Sequence, residues 1–581
     1  MSIQFEVDGV PGLFAASSGP LRVGLVFRVG QVDEPLARRG ITHLLEHLAL
    51  HSAGVTDHHH GVTAPEFTEF RTQGSADDVR SFLAEVCASL RDLPIDRLPM
   101  EKELLRTEAA SHRSDATNLM PIWRHGARGY GLTAYPQFGL TSLTADELQT
   151  WANHYFVRGN AALWVTGPQL PDDLRLDLPD GERQAPPPAS SALPVTPAYF
   201  RGPAGVVVWD TVVPRDTAAI VFTGLLSREL RRTLRQEGGL SYTATADHSP
   251  RADGTTAITA LADALPDKQD AALAGVIDVL ERMRRGEFDD AEFTAVVKQR
   301  CDDLTHAGQH GGRVLWQAAG LLLDRTPADL DDQLAQTRAV TRADVARVAQ
   351  TAFAAGLLQT PGDTTADDAG YTAAPVTSGG QVTGQAYPSL ANPARSRVIL
   401  GDEGASLVKG EKLATVRFDA CAAVLAWPDG ARHLIGTDGI QVHLEPTMFH
   451  GLAAAIPALD QHVPAGQRAE MAPRDPQTIP QPRLWLPTIK PSAQPLGPLR
   501  TPARLGPPAS RGTWQGYLFN LLICLVAVVG LTSGAIDPAE LRSVSGSHPI
   551  DNLPVLLLVL ALLAARGIWA LRGLLRLYHR R

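Results

Sequence analysis

The sequence contains few cysteines and no excess of basic residues. Only four of its 581 residues are cysteine, and they lie far apart with no CxxC pair. This distribution excludes a disulfide scaffold and a cysteine-rich zinc module, and it is typical of proteins from a reducing compartment. The formal net charge is -9, so the chain has no overall basic field that would attract nucleic acid. We therefore expect no nucleic-acid partner.

Two sequence signals are also missing. The first residues, Met1–Glu6, lack the basic region and the long apolar core of a secretory signal peptide. No GxxxxGK[ST] loop occurs in the chain, which excludes a P-loop protease driven by a nucleotide. At roughly 100 to 200 residues per domain, the length predicts three to five domains.

Stretches rich in proline and small polar residues divide the sequence into blocks. We predict folded domains at 1–178 and 195–356 and a small β-rich module at 393–465. The module has short strand-like runs separated by Asp-Gly turns at Asp429–Gly430 and Asp438–Gly439, followed by an apolar helical pattern. This order is similar to that of pleckstrin-homology-like modules, and no binding residue stands out in it.

The C-terminal part of the sequence is apolar. Tyr517–Ile536 contains no charged residue and would be about 30 Å long as a helix, which matches a bilayer core. A second apolar run covers Ile550–Leu571, and arginines are concentrated outside the two runs rather than between them. The positive-inside rule then predicts a transmembrane hairpin at 515–573 with both flanks, and the N-terminal blocks, on the cytoplasmic side. A buried helical hairpin in a soluble domain is the alternative. Prolines spread through 472–512 predict an extended linker before the hairpin.

Two histidines and a glutamate lie together on a predicted helix of the first block. Leu21–Gly30 has the alternation of a half-buried strand, and Gly40–Leu50 has the pattern of a helix. His43 and His47 are four residues apart, so both imidazoles project from one face, as two ligands of one metal require. Glu46 lies on the same side. Three leucines point elsewhere and are predicted to pack in the core: Leu44, Leu45 and Leu48.

The segment His43–His47 has the form of the inverted zinc-binding motif, HxxEH. A helix with two incidental histidines is the alternative for the motif alone. Around it, the chain resembles the pitrilysin, insulinase and mitochondrial-processing-peptidase superfamily of zinc peptidases. In that family a glutamate on a later helix completes the ligand set and follows another acidic residue by seven positions. The resemblance implies that Glu108 is the third zinc ligand, that Glu101 is its acidic companion, and that Gly61–Phe70 contains the edge strand of the active site.

One segment departs from the family pattern. The stretch between His47 and Glu108 is shorter than usual, and the missing residues fall before Thr63, where the family has a helix. His60 stands where the family has an asparagine, within the run His58–His60. That run either adds a metal contact or belongs to an exposed loop. The shortening changes the expected access to the active site and its substrate specificity more than it changes the expected metal ligands.

Further resemblance follows downstream. Thr144 and Glu147 have the spacing of a helix-capping box, and Gly159–Gly167 looks like the strand that ends the family's first domain. In the second block the resemblance implies that Arg235 and Tyr242 bind the substrate backbone and the oxyanion. A guanidinium and a phenol can both donate hydrogen bonds to a developing oxyanion. An ordinary helix cap with a buried tyrosine is the alternative for this segment.

These patterns predict an α+β protein with two related α/β peptidase domains, the β-rich module and the membrane hairpin. The implied function is a membrane-anchored zinc metalloendopeptidase that hydrolyses peptides or unfolded segments at the cytoplasmic face. The three ligands would hold Zn²⁺, and Glu46 would act as general base. Family members enclose their substrate in four related domains, so two domains imply a homodimer in which Arg235 and Tyr242 serve the partner's zinc. The alternative is a membrane-tethered scaffold or substrate-binding protein that no longer cleaves.

Overall fold

Residues near the N-terminus form a six-stranded sheet that carries the candidate site. The computed structural model describes residues 2–482, except 53, 55–57, 112–115, 307–309, 324 and 327. The strands of the first sheet are β1 (Ser2–Val7), β2 (Val10–Ala16), β3 (Leu21–Phe27), β4 (His60–Thr63), β5 (Thr68–Gly74) and β6 (Ala161–Gly167). Their order is β1-β2-β6-β3-β5-β4. Strands β2 and β6 are parallel, and the other neighbours are antiparallel.

Helices cover one face of this sheet. They are α1 (Ile41–Ser52), α2 (Ala76–Arg91), α3 (Leu98–Ser111) and α5 (Ala145–Tyr155). Helix α4 (Leu119–His125) packs instead on the strands of the second block. The predicted capping box is confirmed at the start of α5, where the Thr144 hydroxyl accepts from the backbone N–H of Glu147. The predicted leucines of α1 are confirmed as core residues, since Leu44, Leu45 and Leu48 are each 0% exposed. Their burial against the sheet is the main force that holds α1 in place.

Strand β3 is buried more completely than its sequence pattern predicts. The alternation in Leu21–Gly30 indicates a half-buried strand, whereas residues 23–27 are all buried. A helix from the second block, α9 (His310–Leu321), lies on the opposite face of the sheet and covers Val26. The prediction of an exposed second face is therefore wrong, because a helix distant in sequence supplies the missing apolar partner.

The second block repeats the strand order of the first. Its strands are β7 (Ala198–Gly202), β8 (Val206–Pro214), β9 (Ala244–Pro250), β10 (Thr255–Asp263), β11 (Leu357–Pro361) and β12 (Thr372–Ala373). The order β7-β11-β8-β10-β9 corresponds to β2-β6-β3-β5-β4, with the same pair parallel, and β12 is added at the outer edge. Its other helices are α6 (Thr217–Leu230), α7 (Gln269–Arg284), α8 (Asp290–Thr305), α10 (Leu330–Ala339) and α11 (Arg342–Ala354). Helix α6 continues to Glu237 as a π-helical turn.

A buried ion pair holds helix α4 against the second sheet. The Arg124 guanidinium pairs with Asp210 of β8, and both side chains are at most 8% exposed. Arg124 also donates to the backbone carbonyls of Asp210 and Ala355. Trp123 stacks on Phe200, with ring centroids 4.7 Å apart. A buried charge without a partner is costly, so this pair fixes the position of α4, a helix of the first block, on the second sheet.

The third block forms two four-stranded sheets around one apolar core. Its strands are β13 (Gln385–Pro388), β14 (Ser396–Gly401), β15 (Gly404–Lys409), β16 (Lys412–Arg417), β17 (Cys421–Ala426), β18 (Arg432–Gly436), β19 (Gln441–Leu444) and β20 (Arg468–Glu470). Helix α12 (Leu452–His462) closes the core. The predicted Asp-Gly turns are present, since Gly430 and Gly439 have φ of 91° and 86°. This left-handed backbone explains why glycine follows aspartate at both turns.

The predicted mixed α+β class is confirmed. The predicted membrane hairpin at 515–573 lies outside the described residues, as does most of the linker at 472–512. Within the described ranges, no helix combines the length and the apolar character needed to cross a bilayer. The described start of the linker lies against the third block, where Arg474 pairs with Asp429 and Glu445.

The third block contacts the first at a position that admits only glycine. Gly126 follows α4 with φ of 70° and ψ of -141°, and the next backbone N–H, of Ala127, donates to the carbonyl of Thr437 at 3.1 Å. A Cβ at residue 126 would lie 2.2 Å from the carbonyl oxygen of Thr437. The two backbones therefore approach as closely as they do only because residue 126 has no side chain.

We expect Gly126→Ala to lower the thermal unfolding midpoint of the protein, because the new methyl group would push the third block away. Gly370→Ala is the matched control, since Gly370 has φ of 80° with open space around it. The control should cost only the roughly 1–2 kcal/mol of a left-handed alanine. Equal midpoints for the two variants, measured by circular dichroism, would show that the contact at Thr437 contributes nothing.

Candidate active site

Helix α1 begins at a buried carboxylate that caps its first turn. Glu34 accepts from the backbone N–H groups of Gly40 and Thr42, both at 3.0 Å. The guanidinium of Arg39 pairs with the same carboxylate at 2.7 Å, and both side chains are at most 4% exposed. A carboxylate at a helix N-terminus satisfies free N–H groups and favours the helix dipole. This cap fixes the start of α1, and with it the direction of the motif residues one turn later.

The three predicted zinc ligands lie together between α1 and α3. The Nε2 atoms of His43 and His47 are each 3.8 Å from Oε2 of Glu108. One donor atom from each residue falls within 4.8 Å of the others. Among the residues described, no other group of three or more histidine, cysteine and acidic side chains has this geometry. Two imidazoles and one carboxylate are a set that catalytic zinc uses, with a fourth position open.

The other nitrogen of each imidazole has its own partner. Nδ1 of His47 lies 3.3 Å from Oε2 of Glu101, and Arg97 donates to the same carboxylate at 3.2 Å. A proton on Nδ1 leaves the Nε2 lone pair free for a metal. Glu101 thus orients His47 and does not itself join the ligands. Its predicted position as companion of the third ligand agrees with this arrangement.

Gln137 holds the second imidazole, and sequence reasoning missed it. Its amide nitrogen lies 2.9 Å from Nδ1 of His43, while its amide oxygen is buried with no hydrogen-bond partner. Exchanging the two amide atoms lets Nδ1–H of His43 donate to the oxygen and again leaves Nε2 free. Gln137 lies in an irregular segment far along the chain from the motif, so no local pattern indicates it.

The environment keeps the His43 ligand neutral and its neighbour Glu46 protonated. Burial and the nearby imidazole of His47 lower the pKa of His43 to about 4, so its ring is uncharged near neutral pH, as a metal ligand must be. Burial raises the pKa of Glu46 to about 8, against the ordinary 4.5, and the Glu108 carboxylate adds to the rise. Oε2 of Glu46 lies 3.7 Å from Nε2 of His43, and the Thr63 hydroxyl donates to it at 3.4 Å.

Edge strand β4 packs directly on Glu46. A Cβ at Gly61 would lie 1.9 Å from Oε1 of Glu46, so only glycine lets the carboxylate stay where it is. Strand β4 pairs with β5 on one side only, from His60 opposite Arg71 to Thr63 opposite Thr68. The predicted edge strand therefore borders the ligand cluster and presents an unpaired backbone edge.

The histidine run before this strand is not part of the ligand cluster. His59 packs on Phe82, with ring centroids 4.8 Å apart, and Nδ1 of His58 lies 3.1 Å from the Gln73 amide. His60 is exposed at the start of β4. Of the two alternatives drawn from the sequence, the exposed segment agrees with this placement better than an extra metal contact does.

Arg235 and Tyr242 form a pair of their own in the second block. The guanidinium carbon of Arg235 lies 4.8 Å from the Tyr242 ring centroid, and the phenol ring is 76% exposed. The exposed tyrosine differs from the buried one expected for an ordinary helix cap. Backbone N–H groups of Tyr242 and Thr243 donate to Asp263, each at 2.8 Å. In the described part of the chain, neither side chain hydrogen-bonds with His43, His47 or Glu46.

A cavity of about 580 Å³ lies between the two blocks. Ala64 and Pro65, which directly follow strand β4, line one side of it. Thr243, the neighbour of Tyr242, and Thr245 line the other side. The cavity therefore connects the end of the edge strand to the segment that carries the arginine and tyrosine pair.

Comparison with known proteins finds one family model and several solved structures that this chain resembles. A family model described as the Peptidase M16 inactive domain matches residues 199–300, which lie in the second block and not in the block that holds the ligands. No curated protein matches the sequence. A solved protease from Helicobacter pylori is 16% identical with a TM-score of 0.51, covering 62% of this chain and 100% of its own.

Two further solved structures share the fold. The peptidase M16 inactive domain from Pseudomonas fluorescens is 14% identical with a TM-score of 0.51, covering 63% of this chain and 98% of its own. A chain of complex III2 from Candida albicans is 15% identical with a TM-score of 0.51, covering 62% of this chain and 95% of its own. The resemblance to the pitrilysin and insulinase superfamily is thus confirmed. Identities this low establish the fold and leave activity to the residues of the site.

We expect the metal-free protein to lose stability as the pH rises from about 4.5 to about 8, the ordinary and the raised pKa of Glu46. A raised pKa means that the folded state holds the proton of Glu46 more tightly than the unfolded state does. The resulting stabilisation is complete below a pH of about 4.5 and disappears as the pH rises through about 8. Glu46→Gln cannot ionise and should not show this loss. Its advantage in unfolding free energy should grow by up to about 1.4 kcal/mol per pH unit.

Urea unfolding in the presence of a chelator between pH 5 and 8.5 measures this difference. Glu103→Gln serves as the control, because Glu103 is exposed on α3 and should give curves parallel to the wild type. If the Glu46→Gln curve is also parallel, the pKa of Glu46 is not raised.

Proposed function

We propose that this chain is a membrane-anchored zinc metalloendopeptidase that hydrolyses peptides or unfolded segments at the cytoplasmic face. The observation that carries the proposal is the convergence of two imidazole Nε2 atoms and one carboxylate beside a second, buried carboxylate. A structural histidine pair would not need free Nε2 atoms facing a common carboxylate while both Nδ1 atoms are held from behind.

The donor set fits zinc. Ligand atoms about 2.1 Å from a tetrahedral ion lie about 3.4 Å apart, close to the 3.8 Å between Glu108 and each imidazole. Glu101 and Gln137 would keep His43 and His47 in the orientation that binding requires. A zinc ion in such a site supplies a bound water whose pKa is lowered to about 7.

Glu46 would move the proton in the proposed reaction. Positive charge held beside its carboxylate favours the ionised form and offsets the effect of burial. The ionised carboxylate accepts a proton from the water that attacks the peptide carbonyl carbon, and it returns that proton to the leaving amine. Thr63 orients the carboxylate by its hydrogen bond, and the absence of a side chain at Gly61 leaves room for it.

Strand β4 and the second block would bind the substrate. An extended peptide can add to the free edge of His60–Thr63 through backbone hydrogen bonds, which holds unfolded segments with little regard to sequence. Arg235 and Tyr242 would bind the substrate backbone and donate to the oxyanion. They make no hydrogen bond to the motif histidines of their own chain in the described residues. We therefore propose a homodimer in which this pair serves the partner's site.

The membrane attachment rests on the sequence alone. Two apolar runs with arginine outside both of them favour a hairpin that tethers the catalytic region through the proline-rich segment. Peptides or leader segments at the inner membrane face are the substrates that such a tether would favour.

A second candidate function is a peptidase-fold scaffold or binding protein that does not cleave. The match of the second block to an inactive-domain description favours it. The intact ligand set and the buried Glu46 favour the enzyme, because neither is needed to hold a peptide at an edge strand.

The Glu46→Gln protein should keep zinc and lose peptidase activity by at least about a hundredfold, which is the usual scale for removing a general base. Zinc content by mass spectrometry and cleavage of an unfolded reporter peptide measure the two properties. Glu103→Gln should retain both. A chelator should abolish wild-type cleavage, and added zinc should restore it.

The outcomes separate the two candidate functions. Wild-type protein that holds zinc and binds the reporter without cleaving it would favour the scaffold. Undiminished turnover by a pure Glu46→Gln preparation would refute the proton-transfer role of that residue.

A mixture of Glu46→Gln and Arg235→Ala proteins should regain part of the lost activity if each site takes residues from two chains. In a random mixture about a quarter of the sites would combine an intact Glu46 with an intact Arg235. Recovery is measured with the same reporter peptide. No recovery, with mixed dimers shown by crosslinking, would place Arg235 at the site of its own chain.

A further inference from the structure

A second and larger cavity lies beside the one that borders strand β4. Its volume is about 870 Å³. The two cavities share several lining residues, including Glu66, Phe67 and Pro250. Glu66 follows Ala64 and Pro65 along the chain, so the larger cavity continues the path that starts at the end of the edge strand.

Arginines dominate the lining of this cavity. Five of them contribute to its wall: Arg215, Arg251, Arg300, Arg313 and Arg325. None of the five makes an ion pair within 4.0 Å in the part of the chain that the structure describes. The Nε atom of Arg300 is buried with no hydrogen-bond partner, and Arg325 donates to the backbone carbonyls of Arg251 and Ala252. These guanidinium groups stay charged although none is paired directly with a carboxylate, and the nearest acidic groups, such as Asp303 for Arg300 and Asp329 for Arg313, act on them only at longer range.

The two acidic residues in the same wall make their hydrogen bonds to groups other than these arginines, although Glu66 lies near enough to Arg215 and Arg251 to act on their charge. Glu66 accepts from the Tyr130 hydroxyl and, at 2.6 Å, from the backbone N–H of Ala252. Asp216 caps helix α6 by accepting from the N–H of Ala219 at 2.7 Å, and it lies 3.6 Å from Arg347 outside the cavity. Two histidines, His248 and His306, add no negative charge. Within the lining itself, five arginines therefore stand against two carboxylates.

Burying several arginines close together is electrostatically unfavourable for the folded protein. Burial and the neighbouring Arg325 lower the pKa of Arg215, and burial lowers the pKa of Arg300. Arg251 is only 9% exposed, and its guanidinium carbon lies 4.0 Å from the Tyr130 ring centroid, which offsets part of its desolvation. Clustered like charges in a concave wall attract anions strongly, because low-dielectric walls focus the field. An anion with several carboxylates would relieve the repulsion.

We propose that this arginine cavity binds an acidic segment of the peptide substrate, several residues away from the bond at the metal site. The peptide nature of the ligand rests on the proposed function, since the cavity is reached from the free edge of β4. A guanidinium group can donate two parallel hydrogen bonds to one carboxylate. Trp316, which is 51% exposed and lines both cavities, offers an apolar surface to the same segment. The substrate class is thus an unfolded peptide with a cluster of aspartate or glutamate.

Peptide binding to the Glu46→Gln protein tests this, because it does not depend on turnover. Two fluorescent peptides of equal length are compared by anisotropy, one with four consecutive glutamates and one with glutamines in their place. At low salt the acidic peptide should bind at least tenfold more tightly, and the difference should shrink as salt is added. Replacing Arg215, Arg300 and Arg313 together by glutamine should abolish the preference. Arg201→Gln, at an exposed arginine outside the cavity, should leave it intact.

Equal affinity for the two peptides, or a preference that survives in the triple variant, would overturn the proposal. If neither peptide displaces the other and inorganic phosphate alone binds at the arginines, the cavity is a site for a small anion. That result would also overturn the proposal. The salt dependence of binding to the Glu46→Gln protein with its arginines intact supplies the answer even if the triple variant does not fold. If the preference is present and the wild type fails to cleave either peptide, the cavity is established and the hydrolytic function is the part that fails.

Discussion

Helix α1 must bury one face and expose another, and the candidate site depends on both. Leu44, Leu45 and Leu48 are completely buried against the sheet, which leaves His43 and His47 on the side that faces α3. The buried carboxylate of Glu34, with Arg39 beside it, fixes where the first turn begins. A rotation of the helix by one residue would turn the imidazoles by about 100° and remove both from Glu108. The core therefore sets the angular position of the ligands.

The rest of the site is assembled from distant parts of the chain around that helix. Gln137 reaches one imidazole from an irregular segment, and Glu101 reaches the other from α3. Gly61 brings a strand edge against the buried carboxylate of Glu46. A contact between distant parts of the chain also links the first two blocks, where Arg124 of α4 pairs with Asp210 of β8. The buried charges of Arg124 and Asp210 satisfy each other, so this pair specifies position more than it adds stability.

Much of this arrangement was predictable because its signals are local. The motif histidines, the leucines behind them and the cap at Thr144 follow from helical spacing, and the turns at Gly430 and Gly439 follow from the need for a left-handed residue. Strand β3 was predicted as half-buried and is buried on both faces, since α9 arrives from beyond residue 300. Gln137 and the arginine cavity had no signal in the sequence, because their members share no period and no motif.

The sequence by itself determined which chemical groups are available: two imidazoles and a carboxylate on one helix face, an acidic pair seven residues apart, and arginines without clustering along the chain. Those facts depend on covalent order and helical period, which neighbours along the chain fix. Tertiary structure decided which groups meet. It joined Glu108 to the motif, placed an unpaired strand edge beside Glu46 and gathered five arginines around one cavity. Contacts of that kind depend on how the sheets and helices pack across long separations, and no local pattern carries that information.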